Sequence, residues 1–357
     1  NIMNILYFGD DSKFSTSFHR AEALRRLGYQ VEIYNPQIKM FPKNEINKVS
    51  HFFHYRTGYA FIQEKVLKWL KSLRINENDF QLIWINSGEF FGERCLKYLR
   101  VFKKPVILYN NDDPTGYRDG ARFSMVRKAL RHYDLCAIRN EKPLDDYFKL
   151  GCKNVVKIFM SYDEEFHKPF VKKEEISDLF FSEVAFIGTW IKQERRDEFL
   201  AKLIDAGINV AIWGNRWEKS PSWKKIKSHF RGGALGGKDY VAAVQGSKIC
   251  LGLLSKANRD LHTRRSVEIP YAGGLLCAER TSIHLAMYRE NIDAIFWKDA
   301  EECIMSCKNL LENDFERERI RLNGMKRVRQ NGFGNEEICN QILKALAEDN
   351  LNNGKIE

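Results

Sequence analysis

The chain has 357 residues, 44% of them hydrophobic, with 58 Lys and Arg against 47 Asp and Glu and a formal net charge of +11. That length suits two domains of ordinary size, and the apolar share is too high for a disordered chain. No apolar run approaches the ~20 residues that a membrane-crossing helix needs, which argues against a helical membrane-spanning protein. The cationic surplus favours anionic partners such as nucleotide phosphates, nucleic acid or acidic lipid, and carries no information about the fold.

The opening residues read directly as a strand, 4–8, rather than as a leader, so a cytoplasmic protein is expected. Further strands are predicted at 30–34, 82–86, 106–109 and 135–138, separated by helix-period segments at 17–27 (closed by Gly28), 60–73, 92–102 and 122–132. Such alternation predicts a parallel sheet with helices on both faces. The pattern breaks between Asp163 and Asp178, where Pro169 and the charged run Lys172-Lys-Glu-Glu175 stand. A second series follows, with strands at 183–187, 209–213, 248–253, 274–277 and 294–297 and helices at 194–205, 238–245, 265–271 and 301–311. Charged, helix-prone sequence runs over 314–329, and a last helix follows the break Asn331-Gly-Phe-Gly334. The expected organisation is a first domain over 1–165, a linker over 166–182, a second domain over 183–333, a helix over 334–349 that can cross back to the first domain, and a frayed tail over 350–357. Doubly wound parallel sheets bind ligands beyond the carboxyl ends of their strands, so the chemistry is expected there.

The stretch Asp260-Leu-His262-Thr-Arg264-Arg265-Ser-Val-Glu268-Ile-Pro-Tyr-Ala-Gly273-Gly274 puts two arginines where a helix begins. A helix start carries about half a positive charge, so cations there are unfavourable unless an anion docks on both; a diphosphate fits. The same oddity recurs at Gly188-Thr189-Trp190, where Lys192, Arg195 and Arg196 follow at the start of a helix on the same expected edge. A solvated basic face is the plainer reading of each run, weakened by the repetition. Gly232-Gly-Ala-Leu-Gly-Gly-Lys238-Asp239 nearly spells a phosphate-binding P-loop, but it ends on Asp and no strand is predicted before it; a flexible glycine loop is expected.

Gly9-Asp10-Asp11-Ser12 occupies a phosphate-loop position without the glycines, and its acids suit an acceptor hydroxyl or amine. A capped turn reads it equally well. Asn110-Asn-Asp112-Asp113-Pro114 follows a strand, as a turn or as a loop on the ligand edge. Dispersed histidines are usually structural; His262 is kept because it lies between Asp260 and Arg264. The eight cysteines, Cys136, Cys250 and Cys277 among them, look like buried free thiols. Cys303 and Cys307 stand one helical turn apart with no second pair to complete a zinc site, so no metal is expected. Basic amphipathic segments at 65–74 and 122–132 would suit an anionic lipid surface, although ordinary outer helices with buried apolar faces are the favoured reading.

These residues resemble the CgeB-type, group 1-like glycosyltransferases, distant kin of glycosyltransferase family 4. The resemblance rests on Phe186-Ile-Gly188-Thr-Trp190 with Arg195, on Ile212-Trp213-Gly214-Asn215-Arg-Trp217, on Ser247-Lys-Ile-Cys-Leu-Gly-Leu253, and above all on Arg265-Ser-Val-Glu268 through Gly273-Gly274 to Glu279. In the first half, Asn111-Asp-Asp-Pro114 and 161–169 are similar to that group's loop and linker. Asp260 and Glu268, with seven residues between them, resemble the paired acids of retaining two-domain enzymes.

The resemblance implies the α/β GT-B fold, two doubly wound Rossmann-like domains facing across a cleft. It implies a nucleotide-diphosphate-sugar donor in the second domain and an acceptor in the first. Glu268 would hydrogen-bond the ribose, Arg264 and Arg265 with Lys192 or Arg195 would neutralise the diphosphate, and Asp260 would face the donor sugar. Gly188 would let the donor approach the backbone, with Thr189, Trp190, Gly214, Asn215, His262, Gly273 and Gly274 around it. Trp213, Trp217 or Tyr240 would stack on the base. Fixed cations at the leaving group make a metal unnecessary, and no cofactor is expected. No D-x-D triplet occurs, which argues against manganese-dependent single-domain enzymes.

The expected activity is sugar transfer to a glycan or lipid-linked glycan in bacterial surface polysaccharide or lipopolysaccharide assembly, cytoplasmic and peripheral on the inner membrane face, with retention favoured. If the reaction inverts, Asp11, His19 or Asp113 is the candidate base; if it retains, the leaving phosphate can take the proton. The alternatives are a non-enzymatic binder of an anionic polymer and a nucleotide-sugar epimerase. Nucleic acid is not favoured, because the suggestive cations sit at helix starts rather than along one aromatic-laced face.

Overall fold

A computed structural model describes residues 3–42, 45–116 and 119–353. The chain forms two compact units, one running to Phe159 and resuming at Asn335, the other spanning Met160–Gly334. In the first unit β1 (Asn4–Phe8), β2 (Gln30–Tyr34), β3 (Leu82–Asn86), β4 (Val106–Asn110), β5 (Leu135–Arg139) and β6 (Val155–Ile158) form a parallel sheet ordered β2-β1-β3-β4-β5-β6. Its strands are apolar on both sides because both sides are covered. On β1, Leu6 and Phe8 join a core with Trp69, Leu70 and Leu96, while Ile5 and Tyr7 face Leu24, Ile338 and Ile342. The second face is closed by the helix Thr16–Arg26, capped by Ser15, together with the C-terminal helix Asn335–Asn353.

The second unit repeats the plan. β7 (Ser182–Ile187), β8 (Val210–Trp213), β9 (Phe230–Gly232), β10 (Ser247–Gly252), β11 (Leu276–Glu279) and β12 (Ile295–Trp297) are parallel, ordered β12-β11-β10-β7-β8-β9. The strand order reverses between β1 and β3 in the first sheet and between β7 and β10 in the second. At such a switch point the flanking connections leave on opposite faces and open a crevice at the carboxyl edge.

Several elements differ from the sequence reading. β6 and β9 carry no strong period-2 signal, being short edge strands interrupted by Lys157 and Arg231. The glycine loop after Gly232 therefore does follow a strand, contrary to expectation, and leads into the helix Gly237–Gly246. The short helices Pro36–Met40, Leu144–Lys149 and Ser282–Met287 were too brief to show helical periodicity. The stretch read as a linker, 166–182, is folded onto the second unit: Phe170 and the Gln245 side chain exchange two hydrogen bonds of 2.8 and 2.9 Å, and Tyr162 stacks on Tyr271 at 3.8 Å. The apolar sides of 65–74 and 122–132 are buried at Val66, Leu67, Leu70, Val126 and Leu130 and are not free for lipid. No helix among the described residues is long and apolar enough to cross a membrane.

Candidate active site

The helix Arg265–Tyr271 starts beyond the carboxyl end of β10, beside the end of β7. Arg265 spans this switch point. Its Nε donates to the carbonyl of Ile187, the last residue of β7, at 3.1 Å, and its Nη1 donates to Glu268 Oε2 at 2.6 Å. Its guanidinium carbon lies 4.5 Å from the Tyr240 ring centroid. Glu268 is the hub. Its side chain is only 2% exposed, yet Arg265 remains 28% and Arg264 43% exposed, so the pair is anchored inside and open outside. The Tyr240 hydroxyl donates to Glu268 Oε2 at 2.9 Å, and Arg264 approaches Oε1 at 4.0 Å.

His167 Nε2 faces Glu268 Oε1 at 3.5 Å. The Asp163 amide donates to His167 Nδ1 at 2.7 Å, which leaves the ring proton on Nε2, toward the carboxylate. Burial holds the imidazole below its ordinary pKa. Burial alone would raise Glu268, but the imidazole, Arg265, Arg264 and the Tyr240 hydroxyl outweigh it and bring the carboxyl to about 2. Glu268 is thus a fixed anion beside two cations, which suits hydrogen-bonding hydroxyls next to a diphosphate.

The floor of the crevice is backbone. Gly188 N donates to Trp213 O at 2.9 Å, Trp190 N to Asn215 O at 3.0 Å, and Trp217 Nε1 to Gly188 O at 2.9 Å. Gly214 has φ of 140°, and a Cβ there would lie 2.0 Å from Gly188 O, so only glycine lets the two turns meet. Asn215 is exposed, and its Oδ1 accepts from Ala234 in the glycine loop. Arg196 reaches back to the Thr189 carbonyl at 2.9 Å, and Glu194, Asp260 and Arg265 are the charges acting on it.

In the first unit a cavity of about 230 Å³ opens at the other switch point. Gly9, Asp10, Arg20, Asn86, Glu89, Tyr109, Asn111, Asp112 and Arg122 line it. Arg122 is committed to Glu89 at 2.9 Å, Asp112 at 3.2 Å and Asp119 at 3.5 Å.

Residues 195–344 match the family model described as "Glycosyl transferase-like". The chain is also similar to solved structures: Anabaena HepE in complex with UDP and glucose (13% identity, 97% of this chain and 100% of that one, TM-score 0.65) and the sucrose-phosphate synthase of Thermosynechococcus elongatus (12%, 99% and 99%, 0.67). A third is a UDP-forming α,α-trehalose-phosphate synthase from Burkholderia xenovorans in complex with glucose-6-phosphate (11%, 96% and 100%, 0.60). No curated protein matches by sequence. The chain thus has the GT-B fold of these proteins, and residues 195–344 match the glycosyl transferase-like family.

The structure departs from the expected site at several residues. Trp213, Trp217 and Tyr240 are buried; Trp213 packs on Phe180, Trp217 holds Gly188 O, and Tyr240 serves Glu268, so none presents an open ring face to a base. A Cβ on Gly188 would meet the Phe186 ring at 2.8 Å, so packing alone calls for glycine there. Gly273 and Gly274 precede β11, so they stand at the amino edge of the sheet, far from the crevice. There Gly273 adopts φ of 93° after the helix, and a Cβ on Gly274 would meet Val244 at 2.7 Å. His262 is fully buried and its Nε2 accepts from the Met160 amide at 2.9 Å, which makes it a structural histidine.

Arg195 points to solvent, paired with Glu198 at 2.5 Å, and Lys192 is exposed in a short turn; the cation that reaches the crevice is Arg196. Sequence inspection had both in view, but the left-handed turn at Arg195 (φ 52°) decides which one turns inward. Asp260 is buried beside Asn258, whose amide donates to it at 2.7 Å.

Of the three candidate bases, none lines the first-unit cavity. Asp11 is held by the Asn35 amide at 2.7 Å, His19 Nε2 contacts the Lys13 carbonyl at 3.0 Å, and Asp113 is buried against Lys142 at 3.8 Å. Asp10, Glu89 and Asp112 stand in the cavity instead.

A second cavity of about 380 Å³ adjoins the crevice, between the helix Arg196–Asp205 and the end of β12. Its charges are spent on each other, Arg195 with Glu198, Lys202 with Glu301 and Lys256 with Glu279, so the Glu268 cluster is the better anion site. In the second core, Cys277 joins Cys303 and Cys307, the three buried sulfurs lying within 4.8 Å of one another. The fold thus supplies a third thiol where the sequence offered no partner pair; a tetrahedral zinc site still needs a fourth ligand.

Proposed function

We propose that the transferase moves a sugar from a nucleoside-diphosphate-sugar held by its second unit to a hydroxyl of a glycan or lipid-linked glycan held by its first, in surface-glycan assembly. One observation carries the reading: an ionised, buried Glu268 flanked by half-open Arg264 and Arg265 at the β7/β10 switch point. In this reading Arg265 exchanges one Glu268 contact for a phosphate oxygen, and the freed carboxylate oxygen takes the ribose hydroxyls. Arg264, Arg265 and Arg196 neutralise charge as it develops on the leaving diphosphate, so neither a metal nor a cofactor is invoked. Retention fits this arrangement, since the leaving phosphate can accept the acceptor's proton.

HepE is described with UDP and glucose, which makes uridine diphosphate the first ligand to test. UDP and UDP-sugars are expected to raise the melting temperature by several degrees at saturating concentration, and incubation with acceptor glycans to release UDP with a new glycosidic bond of unchanged anomeric configuration. No shift with any nucleotide would overturn the reading. Isomerised sugar nucleotide without transfer would turn it to an epimerase, and an inverted product would remove retention.

A peripheral position on an anionic membrane is part of the proposal. It is supported by the exposed face Val49, Phe52 and Phe53 on the helix Glu45–Arg56, continued by exposed Phe61 and flanked by Lys48, Arg56, Lys65 and Lys68. Aromatic side chains ringed by lysines suit an acidic interface. The protein is expected to sediment with vesicles containing phosphatidylglycerol and not with neutral ones. Serine at Phe52, Phe53 and Phe61 together should reduce the bound fraction at least fivefold; unchanged sedimentation removes the membrane assignment.

A further inference from the structure

The first-unit cavity contains a cation that the proposed chemistry has not used. Arg20 lies on the helix Thr16–Arg26 and is 3% exposed, yet it lines the cavity. Its Nη1 donates to Asn86 Oδ1 at 2.8 Å, and its guanidinium carbon lies 3.4 Å from the Tyr109 ring centroid. Burial weighs against its charge, and the largest influences that favour it are the Tyr109 and Tyr7 phenols and the Cys339 thiol, none of them a carboxylate. Arg122, by contrast, is matched by Glu89, Asp112 and Asp119, and Asp10 is occupied by the Ser12 amide at 2.9 Å and the Asn35 amide at 3.4 Å. A buried cation whose direct contacts are an amide oxygen and an aromatic ring is costly unless an anion arrives to match it.

Four buried polar atoms on cavity-lining residues have no hydrogen-bond partner among the described residues: Arg20 Nε, Arg122 Nε, Tyr109 OH and Asn111 Oδ1. Orphaned buried groups are rare in folded proteins, and four around one cavity describe the complement of a ligand. They offer two donors, one acceptor and one phenol that can do either, which matches an anionic oxygen with several hydroxyls. The volume, about 230 Å³, suits one monosaccharide unit.

We propose that this cavity seats a carboxylate-bearing sugar, a hexuronic acid unit, with Arg20 as the anchor of its carboxylate and Asn111 and Tyr109 receiving its hydroxyls. One guanidinium balances one carboxylate, whereas a phosphate dianion would leave excess negative charge beside Asp10 and Glu89. The assignment rests on the glycosyl-transfer reading for its role as acceptor, but the binding itself does not depend on it.

The test is ligand-observed NMR titration of the full chain with glucuronate, glucuronamide, glucose and glucose 6-phosphate. Glucuronate is expected to bind at least tenfold more tightly than its neutral amide or glucose, and more tightly than the phosphate. Arg20→Gln should abolish that preference and Arg20→Lys should retain part of it. Equal binding of glucuronate and glucuronamide, a preference for the phosphate, or a preference that survives in Arg20→Gln overturns the proposal. Should Arg20→Gln fail to fold, the acid–amide pair on the unaltered protein decides alone. The UDP-induced thermal shift, read on the same samples, reports the second unit separately: its loss alongside intact glucuronate selectivity would sink the transfer reading and leave the Arg20 site standing.

Discussion

Replacing Arg265 with alanine is expected to lower kcat/KM by ~10²–10³-fold, the usual cost of deleting one fixed charge or donor at a site of developing negative charge. The side chain does two things at once. It ties the end of β7 to the start of the next helix through Ile187 O, and it neutralises Glu268. Without it, a carboxylate that is 2% exposed loses its closest cation, so the fold should also weaken, by about 1–3 kcal/mol. Arg265→Lys keeps the charge but cannot serve Ile187 O and Glu268 through one planar fork, and should recover little activity. Steady-state kinetics with circular-dichroism melting separates the two effects. Activity within threefold of the parent in a folded Arg265→Ala protein would show that the diphosphate is held elsewhere.

Gly214→Ala is expected to be the most damaging small substitution in the second unit. The added Cβ would fall 2.0 Å from the Gly188 carbonyl oxygen and 2.6 Å from its carbon, and neither is a side chain that can swing aside. The φ of 140° adds strain for any residue with a Cβ. The two terms together should cost about 3–5 kcal/mol, visible as a fall in urea midpoint or as loss of soluble protein. Gly207→Ala is the control: its φ of 86° carries backbone strain, but nothing lies within 4 Å of the added atom, so its cost should stay near 1–2 kcal/mol. Equal stability of the two variants would show that the turns at Gly188 and Gly214 can separate freely.

The strand–helix alternation was legible because nearly every strand is buried on both sides and reads as an unbroken apolar run, as Leu82–Asn86 and Leu135–Arg139 do. The edge strands β6 and β9 escaped because they are only four and three residues long and are interrupted by Lys157 and Arg231, whereas the edge strands β2 and β12 were legible. In the site, the anomaly of two arginines at a helix start pointed to Arg265 and Glu268, which the fold does bring together. Composition could not say which aromatic would be open: Trp213, Trp217 and Tyr240 are all consumed by packing and by hydrogen bonds to residues distant in sequence. Nor could spacing separate Arg195 from Arg196, because one left-handed residue sets which side chain turns inward. Arg20 was invisible for a related reason. Its significance lies in what does not surround it, and that is a property of the fold and not of local sequence.

The helix Asn335–Asn353 has a bearing on how the protein is made. Ile338, Cys339, Ile342 and Leu346 cover Ile5, Tyr7, Trp84 and Leu24, strand and helix positions translated some three hundred residues earlier. On the ribosome, that side of the sheet has no lid until residues 335–353 have been made, after the whole of Met160–Gly334. The first unit is thus completed only after the second, and its greasy flank waits through the synthesis of Met160–Gly334. Chaperone dependence, and sensitivity to truncation before Asn335, should therefore fall on the first unit.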